Sequence, residues 1–345
     1  MTDGSPAQSD DNSVSQYQNM IKKIALVTGG YSGESVISYK SAETIQNNLD
    51  PEKWDGYLID IHPDGWFYIS PAGEKINVDK NDFSITVNGK KINFDAVLVG
   101  LHGTPGEDGK LQGYFDCLGI PYTSCDAATS ALTFNKRYTV AVAAFAGINV
   151  ARSMHLFKND GTTAKDILQQ LSLPVFIKPN NGGSSIGMSK VTNADVLEDA
   201  LQKAFKEDDQ VLVEEFIKGR EFTIGVFRSK GKIIALPMTE IISKNDFFDY
   251  EAKYEGASEE VTPANASDKM AQQVRETAER IYKLFNCKGI VRIDFIYDEE
   301  KQAPYMLEIN TVPGQSAASI VPQQVLAANS TLKEFYTLLI EECLA

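Results

Sequence analysis

Apolar and polar positions vary along the chain in patterns that predict a mixture of strands and helices. Short apolar runs bounded by turn residues are typical of buried strands, and longer amphipathic stretches are typical of helices. The predicted strands cover residues 23–27, 57–61, 66–69, 84–87, 90–94, 95–101, 174–178, 211–215, 221–227, 232–237, 289–297 and 304–310. The predicted helices cover a stretch that ends near residue 48, residues 110–118, 127–146, 194–206 and 268–285, and two closing segments. Asn88-Gly89 favours a type I′ hairpin turn, because both residues tolerate positive φ.

This order of elements predicts a mixed α/β fold with three units. In the first third of the chain, strands and helices follow one another as in an open α/β domain with loops at its strand ends. We predict an N-terminal α/β domain over residues 21–121, a central unit with a glycine-rich loop over 122–214, and a C-terminal unit over 215–345. Residues 1–20 carry three Asp and neither Lys nor Arg. They are too polar to offset their ordering entropy, so we predict a disordered tail.

Composition narrows the classes of partner. The 345 residues contain 33 Lys and Arg against 47 Asp and Glu, a net charge of −14. Such a chain is not expected to bind nucleic acid or an anionic membrane in general, although one basic pocket for a phosphate ligand remains compatible with it. We find no secretory signal, no apolar run suited to a bilayer, and no CxxC pair among the four cysteines. We therefore expect a cytoplasmic protein with reduced thiols.

Two strands near the C-terminus bring together oxygen ligands. Side chains alternate along a strand, so Arg292 and Asp294 share one face. On the next strand Glu308 and Asn310 project together, while Leu307 and Ile309 point the opposite way. If the strands are neighbours, three oxygen ligands and a guanidinium converge, a set that suits Mg²⁺ bound with substrate phosphates. The competing interpretation is a solvated polar face of an amphipathic sheet.

Two loops have compositions that indicate ligand binding. Residues 180–187 read Asn-Asn-Gly-Gly-Ser-Ser-Ile-Gly, and glycines let backbone amides approach an anion. Met188 stands where a P-loop would have Lys, so we expect a flexible flap, with an ordinary Gly-Ser turn as the alternative. Residues 247–254 contain four aromatic residues among charged ones, which favours a lid that excludes water over a packed surface loop.

Taken together, these segments resemble the D-alanine–D-alanine ligases of the ATP-grasp superfamily. The resemblance runs from about residue 22 to the end of the chain. It rests on Leu101-His102-Gly103, Gly106-Glu107-Asp108-Gly109, Lys178-Pro179, Gly183-Ser184-Ser185-Ile186-Gly187, Asp249-Tyr250-Glu251-Ala252-Lys253-Tyr254, Arg292-Ile293-Asp294 and Glu308-Ile309-Asn310-Thr311.

The resemblance implies an ATP-grasp fold behind an N-terminal substrate-binding domain, and an ATP-dependent ligation. ATP would phosphorylate the carboxylate of one D-alanine, the amine of a second would attack the acyl phosphate, and phosphate would leave. The dipeptide would serve peptidoglycan synthesis. The resemblance further implies two Mg²⁺ ions, for which Mn²⁺ could substitute, and a homodimer.

The resemblance also implies a role for particular residues. For the metal ions it implies Asp294, Glu308 and Asn310. For the nucleotide it implies Lys136, Lys178, Gly183, Ser184, Ser185, Glu214, Glu215, Phe216, Ile217, Glu221 and Lys253. For the first D-alanine it implies Glu34 and His102, for the second Ser319 and Ile320, and for the tetrahedral intermediate Arg292 and the backbone of Gly314. Ser184 and Tyr254 would bond with Glu34 to hold the lid, and Tyr254 would favour the dipeptide over D-alanyl-D-lactate.

Two departures and two alternatives accompany this hypothesis. Ser35-Val36-Ile37-Ser38 follows Glu34 where the family commonly has a charged residue and then Val-Ser, and Gln315 stands where an apolar residue is usual. One alternative is an ATP-grasp ligase for another pair of amino acids. The other is a two-lobed amino-acid-binding protein without catalysis, which would not need carboxylates converging on an arginine.

Overall fold

The computed structural model describes residues 21–183, 186–243 and 258–345. The N-terminal part forms a seven-stranded sheet in the order β6-β5-β4-β3-β2-β1-β7. Its strands are β1 Lys22–Gly29, β2 Trp54–His62, β3 Gly65–Ile69, β4 Lys75–Asp79, β5 Ser84–Val87, β6 Lys90–Ile92 and β7 Ala96–Val99, with helices α1 Ser35–Asn48 and α2 Lys110–Leu118. β1 runs parallel to β2 and β7. Because helices cover a parallel sheet, β1 is buried from Ile24 onward.

The predicted hairpin is confirmed, and one strand of this N-terminal sheet escaped prediction. Asn88 and Gly89 have φ values of 50° and 76° between β5 and β6. β4 is the strand that the pattern did not indicate. Val78 is its one buried residue, so the apolar signal there is too weak to separate a strand from a loop.

The middle part forms a four-stranded sheet in the order β10-β9-β11-β8. Its elements are β8 Ser153–Phe157, α5 Ala164–Gln170, β9 Val175–Pro179, β10 Ser189–Val191, α6 Leu197–Glu207 and β11 Gln210–Glu215. β8 and α5 were not predicted, because each buries a single residue, Leu156 and Ile167 respectively. An apolar period cannot be read from one position.

The single helix predicted over residues 127–146 is wrong. Two helices occupy this stretch, α3 Ala127–Phe134 and α4 Lys136–Phe145. Asn135 separates them with φ −90° and ψ 104°, and its side chain accepts a hydrogen bond from the backbone N–H of Tyr138. Asn competes for backbone donors in this way and therefore favours a cap over a helix interior. The break places Lys136 in the first turn of α4.

The C-terminal part forms a six-stranded sheet in the order β15-β14-β12-β16-β17, with β13 paired to β12. Its elements are β12 Arg220–Ser229, β13 Lys232–Ala235, β14 Thr239–Ser243, β15 Ser258–Val261, α7 Asp268–Leu284, β16 Ile290–Asp298, β17 Ala303–Asn310, α8 Ile320–Ala327 and α9 Leu332–Leu344. No helix among the described residues has the length and apolar character that crossing a membrane requires.

Two of the hydrophobic cores join parts that are distant in sequence. One core combines Ile24 of β1 and Ala42 of α1 with Phe227 of β12 and Phe335 of α9, and the two phenylalanine rings meet edge to face at 5.3 Å. Helix α9 thus packs against both the N-terminal and the C-terminal sheet and holds them together. The other core takes apolar side chains of α3 and α4 into the C-terminal sheet. The predicted divisions at residues 121 and 214 stay predictions.

Candidate active site

One cavity of about 800 Å³ lies where the three sheets face one another. It is lined by every described residue to which the sequence assigned a role: Glu34, His102, Lys136, Lys178, Gly183, Glu214, Glu215, Phe216, Ile217, Glu221, Arg292, Asp294, Glu308, Asn310, Gly314, Ser319 and Ile320. Ser184, Ser185, Lys253 and Tyr254 lie outside the described residues. The structure therefore brings the described set together, and the individual roles stay predictions.

The predicted juxtaposition of strands β16 and β17 is present. They pair antiparallel, with Arg292 opposite Asn310 and Asp294 opposite Glu308. Apolar residues of β16 between the polar ones enter the core, among them Ile293 and Phe295, each 0% exposed. Because side chains alternate along a strand, burying this face turns Arg292 and Asp294 toward the cavity.

A bulge corrects one expectation for β17. Ile309 enters the core as expected, but Leu307 lines the cavity and Met306 takes the core position. The register shifts between Asp294 and Phe295, and Leu307 has no partner on β16. Such a bulge re-aims a side chain beside a site. It places an apolar side chain next to the carboxylate of Glu308, which strict alternation does not predict.

The carboxylate of Asp294 is surrounded by donors. Arg292 donates to it twice, from Nε at 2.9 Å and from Nη2 at 2.8 Å, and the Thr223 hydroxyl of β12 also donates to it. Such a forked pair fixes geometry as well as charge. Desolvation lowers the pKa of Arg292, but the neighbouring carboxylate of Asp294 outweighs it, so the net pKa is raised. Arg292 is therefore a permanent cation.

The donor set fits a hard divalent cation. Asn310 donates from Nδ2 to Asp294 at 3.1 Å and to the Arg292 carbonyl at 3.4 Å. Since both neighbours are acceptors, the amide nitrogen faces them and the amide oxygen is the atom left for a metal. Within the described part of the chain, no three His, Cys, Asp or Glu form a metal-type cluster. Two carboxylates and one amide oxygen suit Mg²⁺, which takes its other ligands from water and phosphates.

The central sheet supplies a cation and an aromatic edge to the cavity. Lys178 of β9 forms an ion pair with Glu214 of β11, Nζ to Oε2, at 2.5 Å. Desolvation lowers the pKa of Lys178, and the charge of Glu214 reverses this, so that the pKa is raised overall. The rings of Phe176 and Phe216 lie 6.1 Å apart between centroids. Lys136 donates to the carbonyl of Gly182 at 2.7 Å, which ties α4 to the glycine-rich loop.

Two glycines flank the carboxylate of Glu34. A Cβ atom added at Gly183 would lie 2.5 Å from Oε1, and one added at Gly103 would lie 2.5 Å from Oε2. Gly103 also has φ +67°, which favours glycine. The glycine-rich loop and the loop after β7 therefore approach Glu34 as closely as a backbone without side chains allows.

His102 is held at both ring nitrogens. Nδ1 lies 2.7 Å from the carbonyl of Val312, and Nε2 lies 2.8 Å from the hydroxyl of Ser41. A carbonyl only accepts, so Nδ1 carries the proton and Nε2 accepts from Ser41. Burial lowers the pKa of His102 to about 4. The neutral ring thus connects the N-terminal domain to the segment after β17 through these two hydrogen bonds.

Sequence reasoning assigned no role to Glu107, although its motif was noted. Its two carboxylate oxygens accept from Gly103 N at 2.7 Å and from Val312 N at 3.2 Å. Burial and the nearby Glu34 raise the pKa of Glu107 well above its ordinary value. Thr223 and Ser41 were missed too. Their partners lie far away in sequence, so no local pattern indicates them.

Comparison with known proteins agrees with this geometry. The family models described as "D-ala D-ala ligase N-terminus" and "D-ala D-ala ligase C-terminus" match residues 23–125 and 136–341. The chain is similar to the D-alanine–D-alanine ligase of Flavobacterium johnsoniae, with 47% identity over 94% of this chain and 100% of that protein.

Solved structures extend the likeness to the whole fold. The VanG D-Ala:D-Ser ligase from Enterococcus faecalis superposes with a TM-score of 0.85 at 30% identity, covering 94% of this chain and 100% of the other. The D-alanine–D-alanine ligase from Bacillus anthracis complexed with ATP gives a TM-score of 0.75 at 26% identity, covering 94% and 97%. The three sheets around one cavity are the ATP-grasp architecture, as expected. Within that class, the chain belongs to the D-alanine–D-alanine ligase family.

The buried, neutral state of His102 predicts a pH effect on stability. Its pKa is about 4 in the folded protein and about 6.5 when unfolded, so the unfolded state binds more protons between these values. The contribution of His102 to stability is therefore complete above pH 6.5 and falls as the pH drops toward 4, by about 3 kcal/mol over the whole window. His102→Gln, which can keep both hydrogen bonds, should flatten the fall in melting temperature between pH 7 and pH 5.

The matched control is His62→Gln, at a histidine whose side chain is 44% exposed. It should leave the wild-type slope in place. An unchanged slope in His102→Gln would contradict the assigned neutral state.

Proposed function

We propose that this chain joins two D-alanine molecules to D-alanyl-D-alanine at the expense of ATP, releasing ADP and phosphate, and that the product serves peptidoglycan synthesis. The observation that carries the proposal is the pairing of β16 with β17, which sets Asp294 beside Glu308 and Arg292 beside Asn310 in the cavity that Glu34 also lines. A binding protein without catalysis has no use for carboxylates converging on a half-buried guanidinium. A cytoplasmic location and a homodimer belong to the same proposal.

The nucleotide would lie between the central and C-terminal sheets. Phe176, Phe216, Ile217 and Leu307 line the cavity, and these apolar side chains suit the adenine ring. Glu214 would lie at its amino group and Glu221 at the ribose. Lys136 and Lys178 would contact the phosphates, joined by the amides of the glycine-rich loop. Asp294, Glu308 and Asn310 would hold Mg²⁺, as two ions or with Mn²⁺ in their place, and the bound metal would neutralise phosphate charge.

The first D-alanine would be held at its ammonium group by Glu34. The carboxylate of Glu34 is confined between Gly103 and Gly183, so it can hold that group in one position. Orientation of this kind supplies a large part of the acceleration in phosphoryl transfer, which needs little covalent help from the protein. His102 and Glu107 would act indirectly, since both bond to Val312.

The second D-alanine would lie against the segment after β17. Ser319 would bind its carboxylate, with Ile320 beside it. Transfer of the terminal phosphoryl group of ATP to the carboxylate of the first D-alanine would release ADP and give an acyl phosphate. The amine of the second D-alanine, after losing a proton, would attack its carbonyl carbon, negative charge would develop on the carbonyl oxygen, and phosphate would leave as the amide forms. Arg292 and the backbone N–H of Gly314 would stabilise that charge, as preorganised donors do in other acyl-transfer sites. Ser184, Ser185, Lys253 and Tyr254 would complete the nucleotide site and the closure over both substrates.

A ligase with a different second amino acid is the second candidate. The observation that favours it is the likeness to a D-Ala:D-Ser ligase, with a TM-score of 0.85. The two candidates share the ATP site and the first-substrate site, so only the acceptor distinguishes them.

The test is phosphate release from ATP and Mg²⁺ in the presence of single amino acids, with the product identified by mass. D-Alanine alone should support turnover and give D-alanyl-D-alanine. Adding D-serine or D-lactate in equal amount at neutral pH should leave the D-alanine dipeptide as the main product. Predominant D-alanyl-D-serine would favour the second candidate. ATP consumption that does not depend on any amino acid would refute both.

Asp294→Asn should abolish most of the turnover. The substitution keeps the shape of the side chain but removes the charge that faces the metal and Arg292. Loss of one metal-binding charge is worth several kcal/mol in the transition state, which is about 100-fold or more in kcat/KM. Asp298→Asn, at the far end of the same strand, is the control and should retain wild-type turnover. Equal activity of both variants would remove the metal site from the proposal.

Gly183→Ala should raise the KM for the first D-alanine. The new methyl group would lie 2.5 Å from Glu34 Oε1, so the carboxylate must move away from the first substrate. A displacement of about 1 Å costs on the order of 100-fold, and a partial shift should still cost about tenfold. Gly33→Ala is the control, because a Cβ at Gly33, next to Glu34, meets nothing within 4 Å. The same KM in both variants would mean that Glu34 does not position the amino acid.

A further inference from the structure

The segment after β17 is pinned to the N-terminal part of the chain at three backbone atoms. The carbonyl of Val312 accepts from His102, and its N–H donates to Glu107. Three residues further on, the N–H of Gln315 donates to the hydroxyl of Ser41 at 3.1 Å. Ser41 in turn donates to His102, so one buried chain of hydrogen bonds fixes both ends of residues 312–315.

The side chain of Gln315 supplies a fourth attachment. Gln315 is 4% exposed, at the position where the family resemblance leads us to expect an apolar residue. Its Oε1 accepts from the hydroxyl of Tyr336 on α9 at 3.3 Å. Tyr336 is 1% exposed and belongs to the core that joins the N-terminal and C-terminal sheets. A buried amide oxygen without a partner is costly, so this bond favours one position of the side chain.

Gln315 follows directly on the atoms that the second substrate would meet. A Cβ added at Gly314 would lie 2.8 Å from the hydroxyl of Ser319. That hydroxyl lies 2.7 Å from the hydroxyl of Ser316, and the N–H of Ser319 donates to the carbonyl of Ser316 at 2.8 Å. The loop and the start of α8 are therefore packed as one piece. A shift of Gln315 is transmitted to Gly314 on one side and to Ser319 on the other.

We propose that Gln315 is a positioning residue for the second amino acid, held by Tyr336 through its side chain and by Ser41 through its backbone. It touches no reacting atom itself and acts by placing the N–H of Gly314 and the hydroxyl of Ser319. The inference rests on the proposed function and deepens it. It assigns to the subsite of the second D-alanine a polar tether, by which we mean the hydrogen bonds of Gln315 to Tyr336 and Ser41. Glu34, which would bind the first substrate, lies between Gly103 and Gly183, so we expect the side-chain bond between Gln315 and Tyr336 to affect the first subsite less than the second.

The tether is tested by separating the two KM values for D-alanine. Initial rates of phosphate release, measured over a wide range of D-alanine at saturating ATP, resolve a constant for each subsite. Tyr336→Phe removes one hydroxyl and leaves Oε1 of Gln315 buried and unpaired. It should raise the second KM about three- to tenfold, the range that one net hydrogen bond covers. The first KM should stay within about twofold of wild type, below the smallest of these effects.

Two further variants distinguish positioning from a general loss of stability. Gln315→Met alone leaves the Tyr336 hydroxyl unpaired and should raise the second KM as well. Combined with Tyr336→Phe it makes an apolar pair of similar volume, so the second KM should return toward the wild-type value. Tyr282→Phe is the matched control, because it removes a buried hydroxyl that donates to Gly289, and neither residue lines the cavity. It should lower the melting temperature without moving the ratio of the two KM values.

The outcomes separate this inference from the proposed function. If the wild-type enzyme makes the dipeptide and the Tyr336→Phe variant has the same two KM values as wild type, the role of Gln315 alone is overturned. A Tyr336→Phe variant that raises both constants equally, or a double variant that is not rescued, would also overturn it. A wild-type protein that makes no dipeptide would instead refute the proposed function.

Discussion

The antiparallel pairing of β16 with β17 is the constraint on which the site depends. Side chains alternate with a period of two, so a slip of one residue would turn Arg292 and Asp294 into the core and Ile293 into the cavity. Burial of Ile293 and Phe295 excludes that slip, because it would replace apolar contacts with desolvated charges. The hydrophobic effect thus sets the geometry of the polar cluster, and the forked contact between Arg292 and Asp294 refines it.

Distances across the cavity depend on the contacts between the N-terminal part of the chain and the C-terminal sheet. Helix α9 fills the core between the N-terminal and C-terminal sheets. Two hydrogen bonds at Val312 reinforce this packing: His102 donates to its carbonyl, and its N–H donates to Glu107. These bonds are buried, where a lost partner is expensive. The N-terminal loops around Glu34 are therefore held against the strand that carries Glu308 and Asn310, as a reaction between two substrates and a nucleotide requires.

Much of this organisation could be predicted from the sequence. Alternation along the last two strands predicted which residues face together, because burial of one face dominates strand orientation. The family resemblance, now confirmed, brought in residues that no spacing rule connects. The bulge at Leu307, the break at Asn135 and the ties made by Glu107 and Ser41 could not be predicted. Each depends on a register, a cap or a partner up to 274 positions away, and local propensity carries no information about such partners.

The packing of α3 and α4 has a consequence for the modularity of the chain. These helices precede the central sheet in sequence, yet Ala143 and Leu132 belong to the core built on the C-terminal sheet. A fragment cut at residue 214 would expose that apolar surface, and a C-terminal fragment would lack part of its own interior. Recombination between relatives would therefore conserve function only if the crossover kept α3, α4 and the last sheet from one parent. The segments that must be inherited together are therefore those whose surfaces are in contact, and they do not form a continuous stretch of chain.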